Sequence, residues 1–484
     1  MHVDSICSHQ KAADGTVREY RSHLLRHSFR DEQGRPRKET LANLTALPDA
    51  ALEAVRKVLR GETVVSADKA FEVERSVPHG NAAAAHVMAS RLGLASLLGP
   101  ACAERDIAYA LILSRAVRPR PKLSTVRWWE DDGTTLGIDL GVADASTDEV
   151  CQAMDWLASR QREIEKKLAA RHLSPGGIAM SGLSSSRVEG SHCELAAFGH
   201  SRDGKRGRRQ VEYGLLTDPQ GRPVAVEVFA GNTSDPVSFK TAITRVRDDF
   251  GINNMIMVGD RGMITGTLID DLRKLKGMDW VTALKAPAIA ALARDSGPLQ
   301  MSLFDDRNLA EITHPDYPGE RLICCHNPVL AADRARTREE LLAATENDLA
   351  KIRKSAGAGR LKDPDKIGIR AGKVIGKRKV ARHFILDIGP GRFAWRRDEK
   401  KIAAEAALDG IYVIRTSVNE ETLDSAGVVT ACKNLKHVER DFRITKDSMG
   451  LRPARCDETG CQGDRGSVDR APAAGQPGSA RAVC

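Results

Sequence analysis

Aromatic side chains are scarce in this sequence, at 4% of 484 residues. That argues against a single-strand nucleic-acid binder built on stacked aromatic platforms. The ten cysteines contain no Cys-x2-Cys pair, so neither a zinc site nor a disulfide framework is signalled, and reduced thiols in a cytoplasm are expected. No apolar run approaches the ~18–20 residues of a membrane span. The opening Met1-His2-Val3-Asp4-Ser5 has no apolar signal-peptide centre, and a secreted or membrane protein is not expected.

What is present is an ordinary globular balance, 41% hydrophobic and 29% charged. The length prior suggests about three domains. Lys and Arg number 74 against 65 Asp and Glu, a formal charge of +9. This excess permits a polyanionic partner, most simply nucleic acid, without requiring one.

The first region, 1–65, is basic. Tyr20–Phe29 and Lys38–Leu44 read as strands around the turn Asp31-Glu32-Gln33-Gly34-Arg35-Pro36. A helix over Asp49–Arg60 follows, with Leu52, Val55, Val58 and Leu59 as its apolar stripe. Arg18, Arg21, Arg26, Arg30, Arg35, Arg37 and Lys38 crowd this region, which reads equally as a solvated surface or a DNA-contacting head. Residues 66–174 read as helical, including a periodic stretch over Asp148–Leu173.

After Ser174-Pro175-Gly176-Gly177 the pattern changes. A strand over Ile178–Leu183, a hairpin of Gln210–Leu216 with Pro223–Phe229, a helix over Pro236–Phe250 and strands at Met255–Val258 and Trp280–Leu284 give a mixed α/β sheet. The stretch 285–404 interrupts that core with a strand near Arg321–Cys325, a charged helix near Arg336–Lys354 and then a basic run: Arg370, Lys373, Lys377, Arg378, Lys379 and Arg382. The core resumes over 405–446 with the strand Ile411–Thr416 and a helix over Glu420–Lys446. The last segment, Asp447–Cys484, is rich in Gly, Ala, Arg, Pro and Cys, reads as irregular, and has the composition of GC-rich DNA translated out of frame.

Asp260 follows a buried strand, a position suited either to holding Mg²⁺ or to capping a helix. Glu439 and Lys446 fall on one face of the last helix, ordinarily a surface pair. Ser201-Arg202-Asp203-Gly204-Lys205 reads as a solvated basic turn or as a phosphate contact.

Taken together, several runs carry a family resemblance. They are Thr40-Leu41-Ala42-Asn43-Leu44, Ala153-Met154-Asp155-Trp156-Leu157, Ser184-Ser185-Ser186 with Glu189-Gly190, Ser201–Lys205, Tyr213-Gly214-Leu215-Leu216, Gly231-Asn232-Thr233, Val258-Gly259-Asp260-Arg261-Gly262-Met263 and Leu408–Thr416. From about Tyr20 to Lys446 the chain resembles the DDE-class transposases of bacterial insertion sequences, in the branch with an RNase H-like core and a strand-rich insertion before the catalytic Glu. The resemblance implies two Mg²⁺ ions (Mn²⁺ as a substitute) held by three carboxylates that drive DNA cleavage and transfer. It implies Asp260 as the second Asp, Glu439 as the Glu, and Lys446 as a contact to DNA phosphate. Among the other cations, Arg378, Lys379, Arg35 and Lys38 are the candidate DNA contacts.

The first Asp does not transfer: Gly182 stands in its place, within Ser181-Gly182-Leu183-Ser184. Cys432 replaces the family's Tyr and Leu435 its Arg. Neutral Ser181 and Ser184 are poor metal ligands, and Glu189 lies too far downstream to serve. The expectation is a transposase that recognises double-stranded terminal inverted repeats as a homodimer at the nucleoid, with impaired catalysis. A second reading, from another class, is a non-catalytic DNA-binding relic occupying those repeats.

Overall fold

The structure, a computed structural model, describes residues 1–13, 15–65, 76–130, 133–190, 193–294, 297–304 and 307–455. Phe71, where a helical pattern was expected to start, and most of the 447–484 segment lie outside these. The chain divides into two compact units, Met1–Val77 and Pro78–Cys484.

The first unit is a three-stranded antiparallel sheet, β1 (His2–Lys11), β2 (Val17–Arg30) and β3 (Pro36–Asn43), in the order β1-β2-β3, followed by α1 (Asp49–Leu59). The β2–β3 turn closes as its residues dictate: Asp31 accepts the backbone N–H of Gln33 and of Arg35, and Gly34 takes φ 75°. Of the expected α1 stripe only Leu52 is buried, while Val58 is exposed.

The second unit opens with helices α2 (Gly80–Arg91), α3 (Leu94–Leu98), α4 (Ala103–Val117), α5 (Lys122–Glu130), α6 (Leu136–Asp139), α7 (Thr147–Ser159) and α8 (Gln161–His172). The single helix expected over Asp148–Leu173 is two, broken at Arg160, whose guanidinium donates to the Leu98 carbonyl.

Then come β4 (Ile178–Glu189), β5 (Gln210–Thr217), β6 (Pro223–Ala230), α9 (Asp235–Thr244), β7 (Met255–Gly259), α10 (Gly266–Leu272), β8 (Met278–Ala283) and α11 (Ala286–Leu292). Next follow β9 (Leu309–Ile312), β10 (Arg321–His326), α12 (Pro328–Gly357), α13 (Pro364–Lys377), β11 (Phe384–Gly389), β12 (Arg392–Arg397) and α14 (Glu399–Ala406). The described chain closes with β13 (Ile411–Thr416), α15 (Ser425–Lys433), α16 (Leu435–Arg443) and β14 (Ala454–Arg455). The main sheet runs β6-β5-β4-β7-β8-β13-β10-β9, with β14 beside β4. β4, β7 and β8 are parallel; the other pairs along that path are antiparallel.

Three expectations need correction. The 285–404 stretch is not mainly β. Its bulk is α12, of 30 residues rich in Ala, Leu, Glu and Arg, packed with α13 around Leu342, Leu349, Ile367, Phe384 and Phe393. Two of its strands, β9 and β10, belong to the main sheet, because Leu322, Ile323, Cys324 and Cys325 are buried on both faces. The helix expected over Glu420–Lys446 is two, with Asp424 capping α15 through the Gly427 N–H and a break at Asn434. Within the segment expected to be irregular, β14 pairs with Val188 and Glu189, and Ala454 is buried.

A buried ion pair ties the helices to the sheet. Arg245 donates to Glu165 of α8 and, at 3.0 Å each, to Glu227 and Asp249. Glu165 also accepts the Val226 N–H at 2.9 Å. The Glu165→Ala substitution removes the most buried of the three acids that hold Arg245, leaves Glu227 and Asp249 as partners, and is expected to cost about 1.5–3 kcal/mol. Urea unfolding would show it as a lowered midpoint, with Lys401→Ala as a near-neutral surface control.

Candidate active site

β4 and β7 run parallel with Ser181 opposite Gly259, so the next step along each strand brings Gly182 level with Asp260. Side chains alternate faces along a strand. Residues 182 and 260 therefore share the face of Met180 and Val258, which pack against Val428, Val438 and Phe442 of α15 and α16. Asp260 is exposed and accepts the Arg261 N–H at 2.7 Å. Its charge reaches α15: burial foremost, then Cys325 and Asp260, push the Cys432 thiol up to about 11. Glu439, exposed, directly follows Val438 on α16. Gly182 and Asp260 thus lie on one face of the sheet, and Glu439 is on a helix that covers that face.

Whether a metal centre fits there is decided at residue 182. A Cβ on that glycine would lie 2.6 Å from Val438 Cγ1 and 3.0 Å from Phe442 Cε2. The space a first carboxylate needs is filled by two buried apolar side chains. Among the described residues, the atoms nearest that Cβ all belong to Val438 and Phe442 and none to an acid. Glu189 is exposed and seven positions further along β4, roughly 23 Å away at the rise of a strand. With one ligand missing and its space closed, the residues present do not fit a three-carboxylate, two-metal centre.

The candidate DNA contacts are placed unevenly. Lys446 is buried, its Nζ donating to Asp203 Oδ1 at 2.7 Å, so it is committed inside the fold rather than offered to phosphate. Arg378 is similarly engaged, 2.9 Å from Asp348. Lys38 pairs with Asp4 at 3.4 Å but is more than half exposed. Lys379 is exposed in the turn after α13 at φ 61°. Arg35 is exposed, and its guanidinium pairs with no acid among the described residues.

The Ser201–Arg209 turn is divided: Lys205, Arg206 and Arg208 are exposed, while its first residues are engaged inside the fold. Arg202 pairs with Asp235, its N–H donates to Ser185 Oγ, and Asp203 is buried against Lys446 and Arg452. Beside it lies Glu212, a buried group that no sequence signal singled out. It faces Ser185 across the β4–β5 pair and accepts from Gln210 at 3.3 Å, with its other oxygen lacking a hydrogen-bond partner. Burial pushes its carboxyl up to about 7, Asp235 adding to this and Arg202 opposing it.

Two family models match. One, described as transposase DDE domain, covers residues 184–459, more than half of the chain; the other, IS1634 family transposase, N-terminal domain, covers residues 9–70. The chain belongs to the DDE transposases of insertion sequences. Metal-dependent DNA cleavage and transfer is the chemistry of that family. No curated protein matches the transposase. Among solved structures it is similar to a piggyBac transposase synaptic complex with hairpin DNA, at 11% identity and TM-score 0.29, over 46% of this chain and 50% of that one. A Mos1 transposase paired-end complex with left transposon end is similar at 12% identity and TM-score 0.15, over 52% and 73% respectively. This transposase spans half the length of the piggyBac chain. No helix among the described residues is long and apolar enough to cross a membrane.

Two measurements probe this part of the transposase. Gly182→Asp overpacks the contact with Val438 and Phe442 and is expected to destabilise by about 1–3 kcal/mol, with Val438→Ala in the same chain recovering part of the loss. Equal stability of Gly182→Asp and the native chain would contradict the closed arrangement. Glu212 binds a proton more tightly folded than unfolded, so folding stability should fall as pH rises from the ordinary carboxylate range through about 7. Glu212→Gln should flatten that slope and be the more stable chain at about pH 8. Parallel stability–pH curves for the two chains would refute it.

Proposed function

We propose that this protein is an insertion-sequence transposase copy that binds double-stranded terminal inverted repeats without cutting them. The observation that carries the reading is the filling of the residue 182 position by Val438 and Phe442. Losing one metal-bridging carboxylate removes charge neutralisation and positioning together, so the strand-cleavage rate falls steeply.

The reading is of an RNase H-like core. The order β6-β5-β4-β7-β8, three antiparallel strands followed by two parallel ones, supports it. In an intact copy Asp260 and Glu439 would be two of the ligands to Mg²⁺ or Mn²⁺. Here they remain as exposed carboxylates, Asp260 on one sheet face and Glu439 on a helix that covers that face. DNA binding rests on exposed cations outside that face. In the first unit these are Arg35 and Lys38; in the second, Arg370, Lys373 and Lys377 share one exposed side of α13, with Lys379 beyond its end. Homodimer formation on paired ends belongs to the same reading, as does a location at the bacterial nucleoid.

The deciding experiment uses the full chain and duplexes carrying the element's own terminal repeats. Gel shifts should show binding that weakens steeply with salt, and Arg35→Ala with Lys38→Ala should lower both the affinity and the salt slope. Incubation with Mg²⁺ or Mn²⁺ should leave the duplex uncut. Metal-dependent nicking at the repeat end at the rate of an intact relative would overturn the proposal, as would binding indifferent to salt.

A further inference from the structure

A cluster of metal-ligating side chains lies outside the sheet that carries the DDE positions. In the first unit, Cys7 and His9 alternate along β1 and so share a face, and His9 stands directly opposite Glu19 on β2. The ligand atoms of Cys7, His9 and Glu19 lie within 4.8 Å of one another, and all three residues are exposed. The Cys7 thiol donates to Glu19 Oε1 at 3.0 Å. Arg21, opposite Cys7, donates to the same oxygen at 2.7 Å, leaving the second carboxylate oxygen open.

We propose that Cys7, His9 and Glu19 form a binding site for a divalent transition-metal ion of the Zn²⁺ type. Sulfur, imidazole nitrogen and carboxylate oxygen together are the donor set such an ion takes, with a water completing four-coordination. Mg²⁺ does not take thiolate, so this site is chemically separate from the family's catalytic ions. Binding replaces the proton that Cys7 shares with Glu19: the S–H proton leaves to solvent, and the metal takes its place between sulfur and carboxylate. Closure to bond lengths of about 2.0–2.3 Å needs side-chain rotation of three exposed groups and no movement of a packed core. Arg21 opposes the incoming cation, so it sets the affinity without blocking the site. The consequence is a cross-link between the edge strand β1 and its single neighbour β2.

The test is titration of the full chain, reduced and stripped of metal, with Co²⁺ and with Zn²⁺. Because Cys456, Cys461 and Cys484 could also bind, the parent carries serine at those three positions. The expected result is one equivalent of Co²⁺ giving a thiolate-to-cobalt charge-transfer band in the near ultraviolet. Zn²⁺ should displace it. Cys7→Ser should abolish the band, His9→Ala and Glu19→Gln should weaken binding at least about tenfold, and Arg21→Ala should tighten it. Circular dichroism of each variant shows whether the fold is kept, and all four substitutions fall on exposed side chains. No charge-transfer band in the parent, or a band that survives Cys7→Ser, would overturn the site.

Discussion

The contact between α16 and β4 at residue 182 is the constraint on which this transposase turns. Alternation along β4 and β7 sends residues 180, 182, 258 and 260 to one face, and α15 and α16 cover that face. A side chain at 182 must therefore share its space with the helix that carries Glu439. Glycine at 182 concedes that space, and Val438 and Phe442 take it. The same packing that seats the helix over the sheet thus removes the room a metal-bridging carboxylate would need. Chemistry and packing compete for one volume, and here packing occupies it.

Much of the fold was legible from local chemistry. The β2–β3 and β5–β6 hairpins announce themselves through Asp31–Pro36 and Asp218–Gly221, where an Asp side chain accepts backbone N–H groups and a glycine takes positive φ. β7 is an uninterrupted apolar run because both its faces are covered. β1 was not legible. His2–Lys11 shows no apolar alternation, since it is held by pairing with β2 rather than by burial. In 285–404 the strand near Arg321–Cys325 and the charged helix near Arg336–Lys354 were legible and lie within β10 and α12, while the mainly-β character expected of the whole came from the family resemblance. The residues of α12 are themselves good helix formers, whereas α13 carries three glycines and is held by packing Ile367 and Ala371 against α12 and its neighbours.

The site divides in the same way. Asp260 and Gly182 were placed by resemblance to a motif, and spacing alone could not have paired them. The fate of Lys446 was beyond local reading, because its partner Asp203 lies 243 positions away in the chain. The basic turn around Arg202 misled for a related reason. Arg202 looked like surface offered to phosphate, but Asp235 draws it into an internal pair, and Asp203 of the same turn holds Lys446, while Lys205, Arg206 and Arg208 stay exposed. Ser185 and Glu212, buried, and Arg202 and Asp235, partly buried, form one polar cluster behind the face that carries residues 182 and 260.

Such an arrangement bears on which side chains position 182 can hold while the fold persists. A carboxylate at 182 would stand level with Asp260, beneath the packed helix that carries Glu439. Like charges brought together in a partly desolvated place cost stability unless metal ions neutralise them. Replacing one by glycine relieves the repulsion, and the apolar contact of Val438 and Phe442 across the gap adds burial. Glycine at 182 is therefore favourable to the folded chain. Reversal is harder than loss: a new aspartate must displace two buried side chains before it can meet a metal ion. Selection for folding alone would keep the closed form, and only selection for strand transfer would reopen it.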